Sequence, residues 1–495
     1  MEVDGVEPSL VNMDLSILDQ TVLRVYVRQV LIFPFPDLDF EKDAIAALRM
    51  GLLNCLQQYP FLAGKLEQTN PSSGALTVRY PHKIDDSAIS QVFSIKHLSS
   101  LDLDYNTLCK EGIPTSKLPS DVLCPLTLKS HPGLDDPFAE GRTTLAKGPI
   151  PVFAAQANFF PGGLALSVYS HHSVVDGTGI AKLYQSWSSH TRDSERTGRL
   201  STQTLPLLGG HLNPSHARHA LDTLIVDAPF MDTPEFRDPN NHAPIPPLRD
   251  APYKLRAKLL QFPADRITDL AASLSSVTNE RISMFTALSA LIWCQVTNAR
   301  RAVLLDKGIE KTTMGLAVDH RKRVGPLIPN DYIGNCASGL IVSLPLSSLP
   351  STETMNHEYI APVALAISDE LKTVNLDWFR ARLRHMSKQP SPSKLMLNTD
   401  TVNGPDIFIT SWQHIGADDV WAIPGTMKDE NGSWDCKPTA IRKPQSALEG
   451  GMQILPRQRE GDKPYEILLA LEDAEMESLI RNLQGGAWIE RVVDG

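Results

Sequence analysis

The segment His171-His172-Ser173-Val174-Val175-Asp176-Gly177 has residue types and spacing that can do chemistry. An imidazole has an unperturbed pKa near neutrality, so it can begin a reaction neutral and end it cationic. At the end of a strand, His172 would face a cleft. It would take the proton from an acceptor hydroxyl as the oxygen attacks a thioester carbonyl. Asp176, four residues on, would pair with a cation and hold the turn. Gly177 would relax the backbone where a helix begins. A plainer reading fits the same residues: two ordinary strand-end histidines, with Asp176 as a helix N-cap. A bare HxxxD arises by chance about once in a chain with 14 histidines, whereas HHxxxDG arises in on the order of one chain in a thousand.

No rival constellation competes with it. The sequence has no GxSxG elbow, no GxxxxGK[ST], no strand-borne GxGxxG and no HExxH. With no obvious nucleophile, direct attack by the acceptor is favoured over a covalent acyl-enzyme. The cysteines at 55, 109, 124, 294, 336 and 436 form no CxxC pair and lie at no metal-ligand spacing to histidines, so no metal is expected. Scattered thiols of this kind suit a reducing compartment.

The elements that must position His172 are legible on either side of it. Residues 152–160 and 164–170 read as strands joined by Pro161-Gly162-Gly163, a turn signal. Residues 178–190 follow as a helix, with Ile180, Leu183, Tyr184 and Trp187 on one face. Upstream, 21–34 alternates like a strand, and 41–58 repeats Ala44, Leu48, Leu52 and Leu56 at a helical period. Residues 201–252 are rich in Pro, Asn and His and read as a long irregular connection between domains. Beyond it, 255–262 reads as a strand, and 264–276 and 283–298 as helices. A loop-rich stretch at 424–446 precedes a closing strand, YEILLALE, and helix, AEMESLIRNL. An N-terminal domain over 1–200, a crossover linker over 201–252 and a C-terminal domain over 253–495 follow.

Composition excludes several classes. A formal net charge of -10 with no long basic run gives nothing to the counterion release that drives nucleic-acid binding. No apolar stretch is long enough to span a bilayer, and no secretory or lipidation signal is read at either end. A cytoplasmic enzyme acting on small molecules is expected.

Landmarks along the whole chain then give a resemblance. LSILDQ at 15–20, YPFLAGKL at 59–66, HHSVVDG at 171–177 and SMFTALSALIWCQVTNAR at 283–300 stand in order. AVDHRKRVGPLIPNDYIGN at 317–335, TSW at 410–412, LEGGMQILPR and YEILLALEDAEMESL complete the series. Together they resemble the BAHD acyltransferases, and among them the fungal branch that includes trichothecene 3-O-acetyltransferase. The resemblance implies an α/β fold: two chloramphenicol-acetyltransferase-like domains with mixed sheets flanked by helices and a channel between them. It implies a monomer with no permanently bound cofactor, acyl-CoA as co-substrate and a small-molecule secondary metabolite as acceptor. It implies His172 as general base, with Asp176, the other catalytic-motif residue, pointing away from the channel to pair with Arg321; a solvated surface charge is the plainer reading of Arg321. Thr410 and Trp412 would lie near the reacting carbonyl. One departure stands out: where the family carries DFGWG, this chain has Asp418-Asp419-Val420-Trp421-Ala422-Ile423-Pro424-Gly425. The same fold and base would also serve a carrier-protein thioester condensation, a base-promoted cyclisation, or a ligand-binding relic.

Overall fold

The computed structural model describes residues 10–98, 103–197, 214–237, 247–250, 252–351, 355–428, 432–445 and 449–495. The strand Tyr26–Pro34 is buried on both faces along nearly its whole length. It pairs antiparallel with Gly163–His171, which pairs antiparallel with Phe153–Phe160. The hairpin between the last two turns at Gly162, whose φ of +72° is a conformation that L side chains rarely adopt. Phe93–His97 joins one edge in parallel, giving a five-stranded sheet whose other edge is Ala440–Arg442.

Two helices cover this sheet in one core. Glu41–Gln58 buries Ala44, Leu48, Leu52 and Leu56 completely, as the helical period requires. Gly177–Thr197 runs against it, and the indole Nε1 of Trp187 donates to the carbonyl of Leu48 at 2.9 Å. A small four-stranded sheet, ordered Leu10–Asp14, Ala75–Pro81, Lys65–Asn70 and Ile150–Pro151, stands beside them.

The second half is built on a seven-stranded mixed sheet. Its order is Ala337–Pro345, Lys311–Asp319, Ile407–Ser411, Gly451–Ile454, Tyr465–Glu472, Leu255–Phe262 and Arg491–Asp494. The helix Met284–Asp306 is buried without a break from Thr286 to Thr297, so it runs through the middle of the second core. It extends well past the expected end at 298. Arg300 is fully buried and donates from Nε to Glu475 at 3.0 Å.

Three expectations change. The strand expected from 21 begins at Tyr26, because Ser16 and Asp19 form a capping box that starts the short helix Ile17–Thr21. The stretch 201–252 is not wholly irregular: it contains the helix Pro214–Thr223, anchored by the buried Leu221 and Arg218. Residues 201–213, 238–246 and 251 of that stretch lie outside the described residues. The loop-rich 424–446 contains Ala440–Arg442, which returns to the first sheet and pairs with Val30–Ile32. Trp412, Ile415, Trp421, Ile423 and Ile441 accordingly pack in the first core, not the second. Among the described residues no helix is long and apolar enough to cross a membrane, and all six cysteines are free thiols.

Candidate active site

The strand Gly163–His171, central in its sheet, carries the motif at its C-terminal end. The N–H of His171 donates to Val152 O at 2.9 Å, and that of His172 to Val25 O at 2.8 Å. The two histidines then diverge. His171 is fully buried, edge-on to Tyr26 at 5.1 Å. The Ser173 N–H donates to its Nδ1 at 3.2 Å, so Nδ1 is bare and the ring proton sits on Nε2. Nε2–H donates to Thr143 Oγ1 at 2.8 Å, whose hydroxyl donates on to Arg24 O at 3.2 Å. His172 is only half-buried, and its Nδ1 is enclosed with no hydrogen-bond partner among the described residues.

Burial, with the nearby charges of His172 and Arg24, pulls the His171 imidazole down to about 3. An unfolded histidine binds a proton below about pH 6.5. On acidification the unfolded chain therefore takes up this proton first, and stability falls by about 1.4 kcal/mol per pH unit through that window. His171→Gln removes the dependence. The variant is expected to be less stable than wild type near neutrality. The gap should narrow by about 1.4 kcal/mol per unit as the pH falls from about 6.5 to 5. Urea midpoints across that range check it, and a gap constant with pH would contradict a neutral buried ring.

Asp176 is 2% exposed, and both its oxygens are saturated. Oδ1 accepts from Gly179 N at 2.8 Å and Arg321 Nη2 at 2.9 Å. Oδ2 accepts from Arg321 Nη1 at 3.0 Å and Cys336 N at 2.9 Å. The two readings offered by the sequence therefore hold together: Asp176 N-caps the helix Gly177–Thr197 and forms a bidentate pair with Arg321. It makes no hydrogen bond to His172 among the described residues. Arg321 also donates to Gly334 O at 2.7 Å and Asp319 Oδ1 at 3.1 Å. Burial opposes its charge, but Asp176 more than offsets this and the guanidinium ends above its ordinary range. The neighbouring Cys336 thiol is pushed up to about 12 by burial, so it stays protonated and offers no nucleophile.

The glycine that the packing requires is not Gly177. Gly177 has no left-handed backbone, and a Cβ there would meet Ile415 Cδ1 at an ordinary 3.4 Å. A Cβ on Gly179 would instead collide with the backbone carbonyl of Ile333. Gly179 thus lets the start of the helix lie against the segment carrying Asn335.

Thr410 lies half-buried on Ile407–Ser411, opposite Gln453, and Trp412 is buried with its N–H on Ile454 O at 2.7 Å. Neither is hydrogen-bonded to His172 among the described residues. Trp412 packs in the same core as Val174, Val175 and Ile415. The altered segment Asp418–Gly425 seats Trp421 among Trp187, Phe33 and Tyr184, with ring centroids 5.5, 5.9 and 6.4 Å away. Asp419 beside it carries a carboxyl pushed up to about 6 by burial and by Asp418. Through Trp421 this segment of the second half of the chain packs into the first core.

Sequence reasoning assigned no role to Asp19, Arg218 or Asn335, yet all three are buried and bonded at this turn. Asp19 and Asn335 sit inside quoted landmarks, LSILDQ and YIGN. Arg218 gave no signal, because it lies in the stretch read as irregular.

Residues 137–484 match the Transferase family. The chain belongs to that family. It is an acyltransferase of BAHD type, and residues 25–190 match the trichothecene 3-O-acetyltransferase-like N-terminal domain. Acyltransferase easC of Emericella nidulans is 24% identical over 93% of this chain and 92% of its own length. The trichothecene 8-O-acetyltransferase of Fusarium sporotrichioides is 24% identical over 96% of this chain and 97% of its own. The crystal structure of F. sporotrichioides TRI101 complexed with coenzyme A and T-2 covers 97% of this chain and 99% of that one. Its TM-score is 0.70 at 21% identity, which establishes a shared two-domain α/β fold with mixed sheets and helices.

Proposed function

We propose that this acyltransferase moves an acyl group from acyl-CoA to a hydroxyl, or an amine, of a small secondary metabolite, with His172 as general base. The observation that carries the reading is the contrast within the motif. His172 is half-buried and neither ring nitrogen is hydrogen-bonded among the described residues, while Asp176 is saturated by Arg321, Gly179 and Cys336. One residue is left free to react and the other is spent on holding the turn.

In this reading His172 Nε2 takes the acceptor proton as the acceptor oxygen bonds to the thioester carbonyl carbon. The tetrahedral intermediate collapses, the carbon–sulfur bond breaks, and the imidazolium returns its proton to the departing thiolate as free CoA. No electron donor or acceptor is needed. Thr410 and Trp412 are assigned to the neighbourhood of the reacting carbonyl. The names of the relatives, fungal acetyltransferases, favour an acetyl donor and a hydroxylated terpenoid-like acceptor. Six free thiols accord with a reducing, cytoplasmic setting.

CoA is expected to raise the melting temperature. At about 100 times its dissociation constant, a ligand that binds only the folded state adds about 2.7 kcal/mol. A thermal-shift series with CoA, acetyl-CoA and a longer acyl-CoA reads this. Release of free thiol from acetyl-CoA with a panel of hydroxylated terpenoids reads the reaction. No shift with any of the three, together with no thiol release, would sink the proposal and favour a diverged chemistry on the same fold.

A further inference from the structure

A second buried ion pair lies behind the same turn. Asp19 and Arg218 have side chains 0% and 2% exposed, with Arg218 Nη1 2.5 Å from Asp19 Oδ2. Ser16 donates to Oδ2 through its N–H at 3.0 Å and its hydroxyl at 2.8 Å. Asn335 donates to Oδ1 through its N–H at 3.1 Å and its side-chain amide at 2.7 Å. Two of these donors also reach beyond the carboxylate. Asn335 Nδ2 donates to the carbonyl of His172 at 2.8 Å. Arg218 Nη2 donates to the carbonyl of Val174 at 2.9 Å.

The geometry leaves little freedom. Asn335 Oδ1 is enclosed without a partner among the described residues, yet a flipped amide would turn that oxygen onto two acceptors. The orientation is therefore set by Asp19 and His172 together. Tyr332 lies beside both guanidinium groups, its ring centroid 5.8 Å from Arg218 and 5.7 Å from Arg321. A Cβ on Gly334 would stand 2.6 Å from Arg218 Nη1, so a glycine there admits the arginine. Without Asn335 and Arg218, the carbonyls of residues 172 and 174 would lose these donors inside the core, and a buried backbone acceptor left unpaired is costly.

We propose that Asn335 and Arg218, held by Asp19, are positioning residues that fix the backbone on both sides of Ser173 and so aim the His172 ring. This rests on His172 being the base. The Cα–Cβ direction of His172 follows from where its carbonyl is held. A misplacement of about 1 Å in a reacting group costs on the order of 10²-fold in rate.

Asn335→Leu in the full-length protein tests it by two readouts. Hydrogen exchange of the amides from Ser173 to Val175 is expected to be about tenfold faster or more, with the strand Leu255–Phe262 unchanged. In free-thiol release from acetyl-CoA, kcat per folded molecule is expected to fall about 10²-fold while KM for acetyl-CoA moves less than about threefold. Wild-type exchange at the turn, or a full kcat in a protein that merely melts earlier, overturns the proposal. If Asn335→Leu does not fold, Asn335→Ser, which keeps the backbone N–H to Asp19 and strands no buried charge, carries the same expectations. The exchange readout needs no turnover. Faster exchange in the variant with an inert wild type would count against the acyl-transfer reading, and slow exchange would count against the clamp.

Discussion

His172→Ala is expected to lower kcat by about 10²- to 10⁴-fold, the usual contribution of a positioned general base, while leaving the fold intact. The two halves of that expectation have separate grounds. The hydrogen bonds that residue 172 makes use its backbone. Its N–H goes to Val25 O and its carbonyl accepts from Asn335, and alanine keeps both. The ring contributes no hydrogen bond through Nδ1 and is half-exposed, so its removal creates no buried orphan and no sealed cavity. The melting temperature and CoA-induced shift should therefore stay near those of wild type. Free-thiol release under saturating acetyl-CoA measures the first half and thermal denaturation the second. A variant retaining more than about a tenth of wild-type kcat would rule out His172 as the base. His171→Ala should behave in the opposite way. It loses the bonds to Thr143 and Ser173 and empties a buried site, so it should lose stability first.

Why some of this could be read from the sequence and some could not follows from how each signal arises. The helix Glu41–Gln58 and the strand Tyr465–Glu472 were legible to the residue because burial on one helical face, or along a paired strand, imposes a period on the sequence. The Asp176–Arg321 pair spans 145 positions and has no period. It came from landmarks that resemble a family, and only the geometry shows the carboxylate saturated. Gly177 drew attention because it completes a motif, yet the crowded glycine is Gly179, two residues on, where the neighbour is a carbonyl distant in sequence. The partners of Arg300 and Arg218 were not legible either, because Glu475 and Asp19 lie far away in the chain. The segment that departs from DFGWG shows no period from which its packing could be read. Trp421, the one large residue kept, buries itself against Trp187 and Phe33 in the first core.

Asp176→Asn is expected to destabilise the protein by about 3 to 5 kcal/mol, because it leaves the Arg321 charge inside without its partner. The amide cannot substitute by rotating. Each carboxylate oxygen serves two N–H donors, Gly179 and Arg321 on one side, Cys336 and Arg321 on the other. Either orientation of an asparagine therefore points an NH₂ group at two donors and abandons two hydrogen bonds. The helix Gly177–Thr197 keeps its N-cap only in the orientation that gives up the bonds to Cys336 and Arg321 Nη1. Arg321→Met should cost a similar amount by stranding the carboxylate. The double variant should cost clearly less than the two singles together, because two buried charges are removed at once and neither is left alone. Urea denaturation of the four proteins closes the cycle, and additivity to within about 0.5 kcal/mol would mean that the residues do not couple. Activity separates the possible roles. A carboxylate that oriented the imidazole directly would, when changed to asparagine, reduce kcat in a protein of normal stability. A carboxylate that holds the turn should instead lower stability and activity together, in contrast to His172→Ala, which should lose activity alone.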